Sequence, residues 1–167
     1  MTQSNDSTTA EKQKTISIER TFDLPVSTLW KAFTDAESFK KWWGPENYTC
    51  PYCTIDFRVG GKYLNSMQGQ DGKEIWSTGT YKEIVLHKKI VYTDSFADSD
   101  GNKVFASEYN MAGAWELELM VTLEFKEAGD KTNLLLKHHG IPDEIYDECI
   151  IGWQSCLDKI ERTIKRE

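Results

Sequence analysis

No run of apolar residues in this chain is long enough to cross a bilayer, and the opening stretch Met1 to Lys14 is polar, without an apolar signal core. The first absence excludes insertion into a membrane through helices; the second makes the cytoplasm the expected compartment. Positive charge is also short, with 20 Lys and Arg against 27 Asp and Glu and a formal net charge of -7. A surface of that sign repels phosphate backbones and anionic lipids, so nucleic acid is not an expected partner. The chain contains no HExxH, no Walker loop, no GxGxxG and no Ser/His/Asp order. Metal and nucleotide chemistry therefore lack a foothold, no cofactor is expected, and no catalytic constellation stands out. Its four cysteines should be reduced in a cytoplasmic setting.

What is present is apolar and aromatic. Hydrophobic residues make up 39% of 167 positions and aromatics 12%, enough for one domain with a core and too little for two. Residues 1–14 lack apolar periodicity and are expected to form a disordered tail, with a single domain over residues 15–167. Ile16, Ile18, Arg20 and Phe22 alternate with polar neighbours, the period of a strand with one buried face, and Pro25 ends it. Ser27 is placed to cap a first helix carrying Leu29, Trp30 and Phe33. Asp35 is placed to cap a second carrying Phe39, Trp42 and Trp43, stopped by Gly44-Pro45. Alternating segments follow at residues 54–59, 62–68, 74–84, 89–96, 117–125 and 134–138, with turn signals at Gln70-Asp-Gly-Lys73 and Ala128-Gly-Asp-Lys131. Gly60-Gly61 would allow a bulge that curves the sheet. After Pro142 the period changes: Tyr146, Ile150, Trp153, Leu157, Ile160 and Ile164 mark the longest helix. Residues 97–116 have no clean period and read either as a cap over a pocket mouth or as a solvated insertion.

Five motifs in order carry a resemblance: Arg20-Thr-Phe-Asp-Leu-Pro25, Trp42-Trp-Gly-Pro45, Asp56-Phe-Arg-Val-Gly-Gly61, Gly79-Thr-Tyr-Lys-Glu-Ile-Val85, and Gly152-Trp153 ahead of Leu157-Asp-Lys-Ile160. Together they resemble the homologue family of the activator of heat-shock protein 90 ATPase, within the START-like (SRPBCC) superfamily. The resemblance implies an α+β helix-grip fold, a curved antiparallel sheet wrapped around a long C-terminal helix, with two short helices after the first strand. It implies fold more than activity, because the superfamily spans lipid carriers, receptors, cyclases and chaperone partners. The eukaryotic co-chaperone that names the family has a separate amino-terminal domain. Only residues 1–14 precede the first strand here, which counts against ATPase stimulation.

The leading expectation is a cavity that binds a small apolar or lipid-like ligand between sheet and terminal helix. Its walls are taken as Trp43, Phe57, Tyr63, Tyr81, Tyr92, Leu119, Trp153 and Leu157, large side chains near the expected opening. Arg58 and His138 are the candidate polar anchors. Asp56 and Arg58 flank Phe57 and share a strand face, and His138 and His139 point to opposite faces, so only one of them can enter a cavity. Trp42 and Trp43, about 100° apart on a helix, should divide between core and cavity entrance. Cys50-Pro-Tyr-Cys53 has the spelling of a redox motif but runs into a strand where that chemistry needs a helix amino terminus. Zinc is not expected, since Cys149 and Cys156 lie almost two helical turns apart. Two further readings compete: a chaperone-associated module docking a large ATPase, and a cyclase-like enzyme that would need a polar residue deep in the cavity.

Overall fold

A computed structural model describes residues 13–166. Strand β1 (Gln13–Phe22) takes in the last two residues of the expected tail, and the rest of the expected tail lies outside the described residues. Helix α1 (Val26–Thr34) buries Leu29, Trp30, Ala32 and Phe33. Its N-cap is Pro25 rather than Ser27: the Pro25 carbonyl accepts from the N–H groups of Thr28 and Leu29, and Ser27 falls inside the first turn. Asp35 caps α2 (Ala36–Phe39), its carboxylate accepting the Ser38 N–H at 3.0 Å. This helix is only one turn long, so Trp42 and Trp43 sit just beyond it, held by hydrogen bonds from both their N–H groups to the Phe39 carbonyl.

Six strands follow: β2 (Cys53–Ile55), β3 (Lys62–Gln68), β4 (Glu74–Val85), β5 (Lys89–Ala97), β6 (Leu119–Ala128) and β7 (Lys131–Pro142). With β1 they form one antiparallel sheet in the order β1-β7-β6-β5-β4-β3-β2, a meander whose last strand returns to pair with the first. Helix α3 (Tyr146–Thr163) then lies in the concave face, burying Trp153, Cys156, Leu157 and Ile160. This is the helix-grip arrangement. Each large apolar side chain sealed there contributes roughly 1.5–3 kcal/mol. Arg20 on β1 fixes the helix from the sheet side, donating to Asp158 at 2.8 Å and to Gln154.

Two local expectations change. Strand β2 stops at Ile55, so residues 56–61 are a tight loop and not strand. Gly60 has φ of +86°, and a Cβ on Gly61 would fall 2.0 Å from the Asp56 carbonyl oxygen, which is why glycine stands there. The pair therefore closes a loop; it does not bulge a strand. Its N–H and C=O groups exchange hydrogen bonds with Tyr81 at 2.8 and 3.0 Å and so anchor that residue. The register shift in this part of the sheet lies instead between Tyr81 and Glu83, where β4 pairs with β5.

Candidate functional site

The concave side of the sheet follows from the period of two. Tyr63 and Asn65 on β3, Tyr81 on β4, and Ile90, Tyr92 and Asp94 on β5 line an inner cavity closed by Phe33, Phe39, Trp43 and Trp153. Its volume is about 30 Å³, room for little more than a water-sized group. An outer cavity of about 180 Å³ adjoins it, with Trp43, Asp94 and Trp153 lining both. Leu119, His138, Phe96 and Cys149 also line it, as do Met111, Trp115, Glu116 and Leu117 from the long connection between β5 and β6. That connection packs back on the sheet through Phe96 and Trp115, ring centroids 5.4 Å apart, and through the Tyr109 hydroxyl, which donates to the Ala97 carbonyl.

The two tryptophans beyond α2 have different surroundings. Trp42 is fully buried, donates its indole N–H to the Ala32 carbonyl at 2.8 Å and meets Phe33 and Phe39 edge-on. Trp43 faces both cavities and meets Trp153 at 5.5 Å between centroids. The loop after it is fastened to α3. Lys159 donates to the carbonyls of Gly44 at 2.9 Å and Tyr48 at 3.0 Å, and Ser155 Oγ accepts the Glu46 N–H at 2.6 Å. Removal from water lowers the Lys159 pKa, and the two carbonyls accept its N–H groups.

A polar chain crosses the aromatic wall. The Trp153 indole N–H donates to His138 Nδ1 at 3.0 Å, which places the imidazole proton on Nε2. That Nε2 lies 3.3 Å from Asp94 Oδ2 but without the alignment of a hydrogen bond. Asp94 Oδ1 accepts the Tyr63 hydroxyl at 2.8 Å. Burial, with the Asp94 charge second, raises the Tyr63 pKa well above its ordinary value, and the same causes raise Tyr92. Among the described residues, the buried side-chain polar atoms without a hydrogen-bond partner are Trp43 Nε1, Asn65 Oδ1, Ser95 Oγ and His138 Nε2. All four belong to residues that line these cavities.

Of the residues picked from sequence, Trp43, Tyr63, Tyr81, Tyr92 and Trp153 line the inner cavity, and Leu119 and His138 the outer one. Three lie elsewhere. Phe57 sits in the loop after β2, wedged edge-on between Trp30 at 5.8 Å and Tyr81 at 5.0 Å, and so supports the wall from behind. Leu157 is fully buried one turn beyond Trp153 and packs in the core. Arg58 is exposed and pairs with Asp56 at 3.0 Å, because the end of β2 turns that segment outward. His139 is on the far face, beside the Thr15 hydroxyl. The sequence reading passed over Asp94 and Asn65. A charged residue in the apolar alternation Ile90, Tyr92, Asp94, Phe96 was the available signal.

The four cysteines are free thiols. Burial pushes Cys50 up to about 11 and Cys53 up to about 12, the opposite of an activated thiolate. Among the described residues no helix is long and apolar enough to cross a membrane.

Comparison with known proteins gives a consistent picture. Residues 23–165 match the family model described as Activator of Hsp90 ATPase homolog 1-like protein. A crystal structure of a Chromobacterium violaceum protein is similar at 27% identity and a TM-score of 0.75, over 92% of this chain and 98% of that one. A Silicibacter pomeroyi protein described as AHSA1 is similar at 24% identity and a TM-score of 0.71, over 89% and 96%. The solution structure of a Staphylococcus epidermidis protein is similar at 23% identity and a TM-score of 0.73, over 92% and 90%. No curated protein matches the chain.

Proposed function

The chain belongs to the Activator of Hsp90 ATPase homolog 1-like family, and from that footing we propose that it binds a small ligand in the two adjoining cavities between sheet and α3, which would open into one around the guest. The observation that carries this reading is the set of unpartnered polar atoms. Buried polar groups are nearly always hydrogen-bonded, and each one left unpaired costs about 1–3 kcal/mol. Here all four belong to cavity-lining residues, so a bound molecule offering polar atoms would relieve them. Volume limits the guest. About 180 Å³ outside and about 30 Å³ inside suit a compact body of one or two rings rather than an extended acyl chain. A thermal-shift screen of ring-sized compounds, repeated with Trp43→Ala, tests it. At least one compound should raise the wild-type melting temperature and lose that effect in the variant; a library with no binder counts against the reading.

A second reading, a cyclase-like enzyme, is favoured by the Asp94 and His138 pair in the wall, since such an enzyme needs a polar group deep in its pocket. NMR of a bound compound over hours separates the two: a carrier returns its ligand unchanged, and an enzyme consumes it.

A further inference from the structure

The cavities have walls of one charge sign. Asp94 stands in the wall they share, Glu116 stands at the outer rim, and among the described residues no lysine or arginine lines either cavity. The groups that reach Asp94 are a phenol and an imidazole. Tyr63 offers a hydroxyl, and His138, whose Nδ1 accepts the indole N–H of Trp153, turns its Nε2 toward the carboxylate. Among the described residues the Asp94 carboxylate thus has no lysine or arginine in the walls around it, which leaves room for a positive group to pair with it.

The surrounding side chains favour the same sign. Trp43, Trp153, Tyr63 and Tyr92 enclose the site, with Trp43 and Trp153 5.5 Å apart and Tyr63 and Tyr92 5.5 Å apart. Aromatic faces carry negative potential and attract ammonium groups, more strongly when water is excluded. Asn65, only 1% exposed, adds an unpartnered acceptor oxygen in a residue of the inner wall. Carboxylate and amide oxygen both call for N–H donors, whereas the unpartnered N–H groups of Trp43 and His138 call for an acceptor or a π face on the body of the ligand. The volumes divide accordingly, since about 30 Å³ suits an ammonium head, close to a water in size, and about 180 Å³ suits the body attached to it.

We propose that the adjoining cavities bind a small protonated amine, its ammonium group in the inner cavity against Asp94 and Asn65 and its compact apolar or aromatic body in the outer cavity against Trp43 and Trp153. The assignment rests on the ligand-cavity reading and adds to it the charge class of the ligand. A carboxylate ligand is disfavoured, because it would place like charge beside Asp94. The formal charge of -7 on the whole chain adds long-range attraction for a cation.

Three probes of matched shape test the assignment at pH 7: benzylamine, benzyl alcohol and benzoate. Proton-nitrogen NMR titration would follow the indole signals of Trp43 and Trp153. Benzylamine is expected to bind about ten-fold more tightly than benzyl alcohol, a difference of about 1.4 kcal/mol, and benzoate should leave both signals in place. Asp94→Asn should bring the amine level with the alcohol, while Tyr63→Phe, which keeps the charge and removes one donor to it, should retain the preference. Benzoate binding at these indoles, or an amine preference that survives Asp94→Asn, overturns the proposal. Equal binding of amine and alcohol removes the charge assignment and leaves the cavity reading standing; silence from all three probes removes both.

Discussion

Trp153 is both a wall of the cavity and the donor that fixes the tautomer of His138. Trp153→Phe keeps most of the ring and removes the N–H. Stability should fall by about 1 kcal/mol in urea unfolding, and the imidazole nitrogens in NMR should lose the single Nε2-protonated signature expected of the native protein. Trp42 offers a contrast, being entirely core and hydrogen-bonded to Ala32. Trp42→Ala should cost roughly 3–5 kcal/mol by the same measurement. From sequence, adjacency on a helical turn foretold that the two indoles beyond α2 would part company. Tyr63, Tyr81 and Tyr92 were chosen from sequence as large side chains on strands, a criterion that could not separate a ring that lines space from one, like Phe57, that props the wall. Asp94 escaped notice for a physical reason: its importance lies in Tyr63, His138 and the paired indole, partners brought from three other elements.

The element with the most dependents is α3. Through Lys159 and Ser155 it holds the loop after Trp43, and that loop sets where Trp43 meets Trp153. Lys159→Met preserves length and removes both hydrogen bonds, leaving the carbonyls of Gly44 and Tyr48 unpaired. The expected loss is about 1–3 kcal/mol, read from urea unfolding, with weaker protection of the Glu46 and Tyr48 amides in hydrogen exchange. Sequence marked the apolar stripe of this helix, and β3 begins and ends where its alternation does, at Lys62 and Gln68. Strand β2 came out shorter than its pattern because Gly60 and Gly61 fold the chain back to Tyr81, a long-range pairing that local alternation does not encode. In the same way α2 is shorter than its apolar spacing suggests, the indoles being held by the turn after it and by the core.

For the molecule as a whole, burial sets the response to alkali. Cys50 and Cys149 are pushed up to about 11 and Cys53 and Cys156 up to about 12, from an ordinary value of 9.0, and burial raises Tyr63, Tyr81 and Tyr92 as well. In the unfolded chain these groups lose protons first, so the stability they confer is complete below pH 9 and is lost as the pH climbs toward 12. Lys159, whose pKa is lowered, runs the other way, but it is one group against seven. The urea midpoint should therefore hold level up to about pH 8.5 and fall steeply above it, and an unchanged midpoint at pH 11 would contradict these shifts. The enclosing architecture was legible in sequence because turn signals, alternation and a final apolar stripe agree. The contents of the enclosure were not, since its polar wall is assembled from residues 63, 65, 94 and 138, which only the folded sheet brings together. The pairing of β1 with β7 has one more consequence, in time. Phe22 lies opposite Thr132 and Gln13 opposite Pro142, so the first strand of this sheet to be synthesised has its partner in the last. At about 5–20 residues per second, β1 waits on the order of ten seconds for its neighbour. Such long-range closure also places the chain among slow folders. Until β7 arrives, Ile16, Ile18 and Phe22 lie on a strand that lacks its neighbour on that side, an edge open to pairing with other chains.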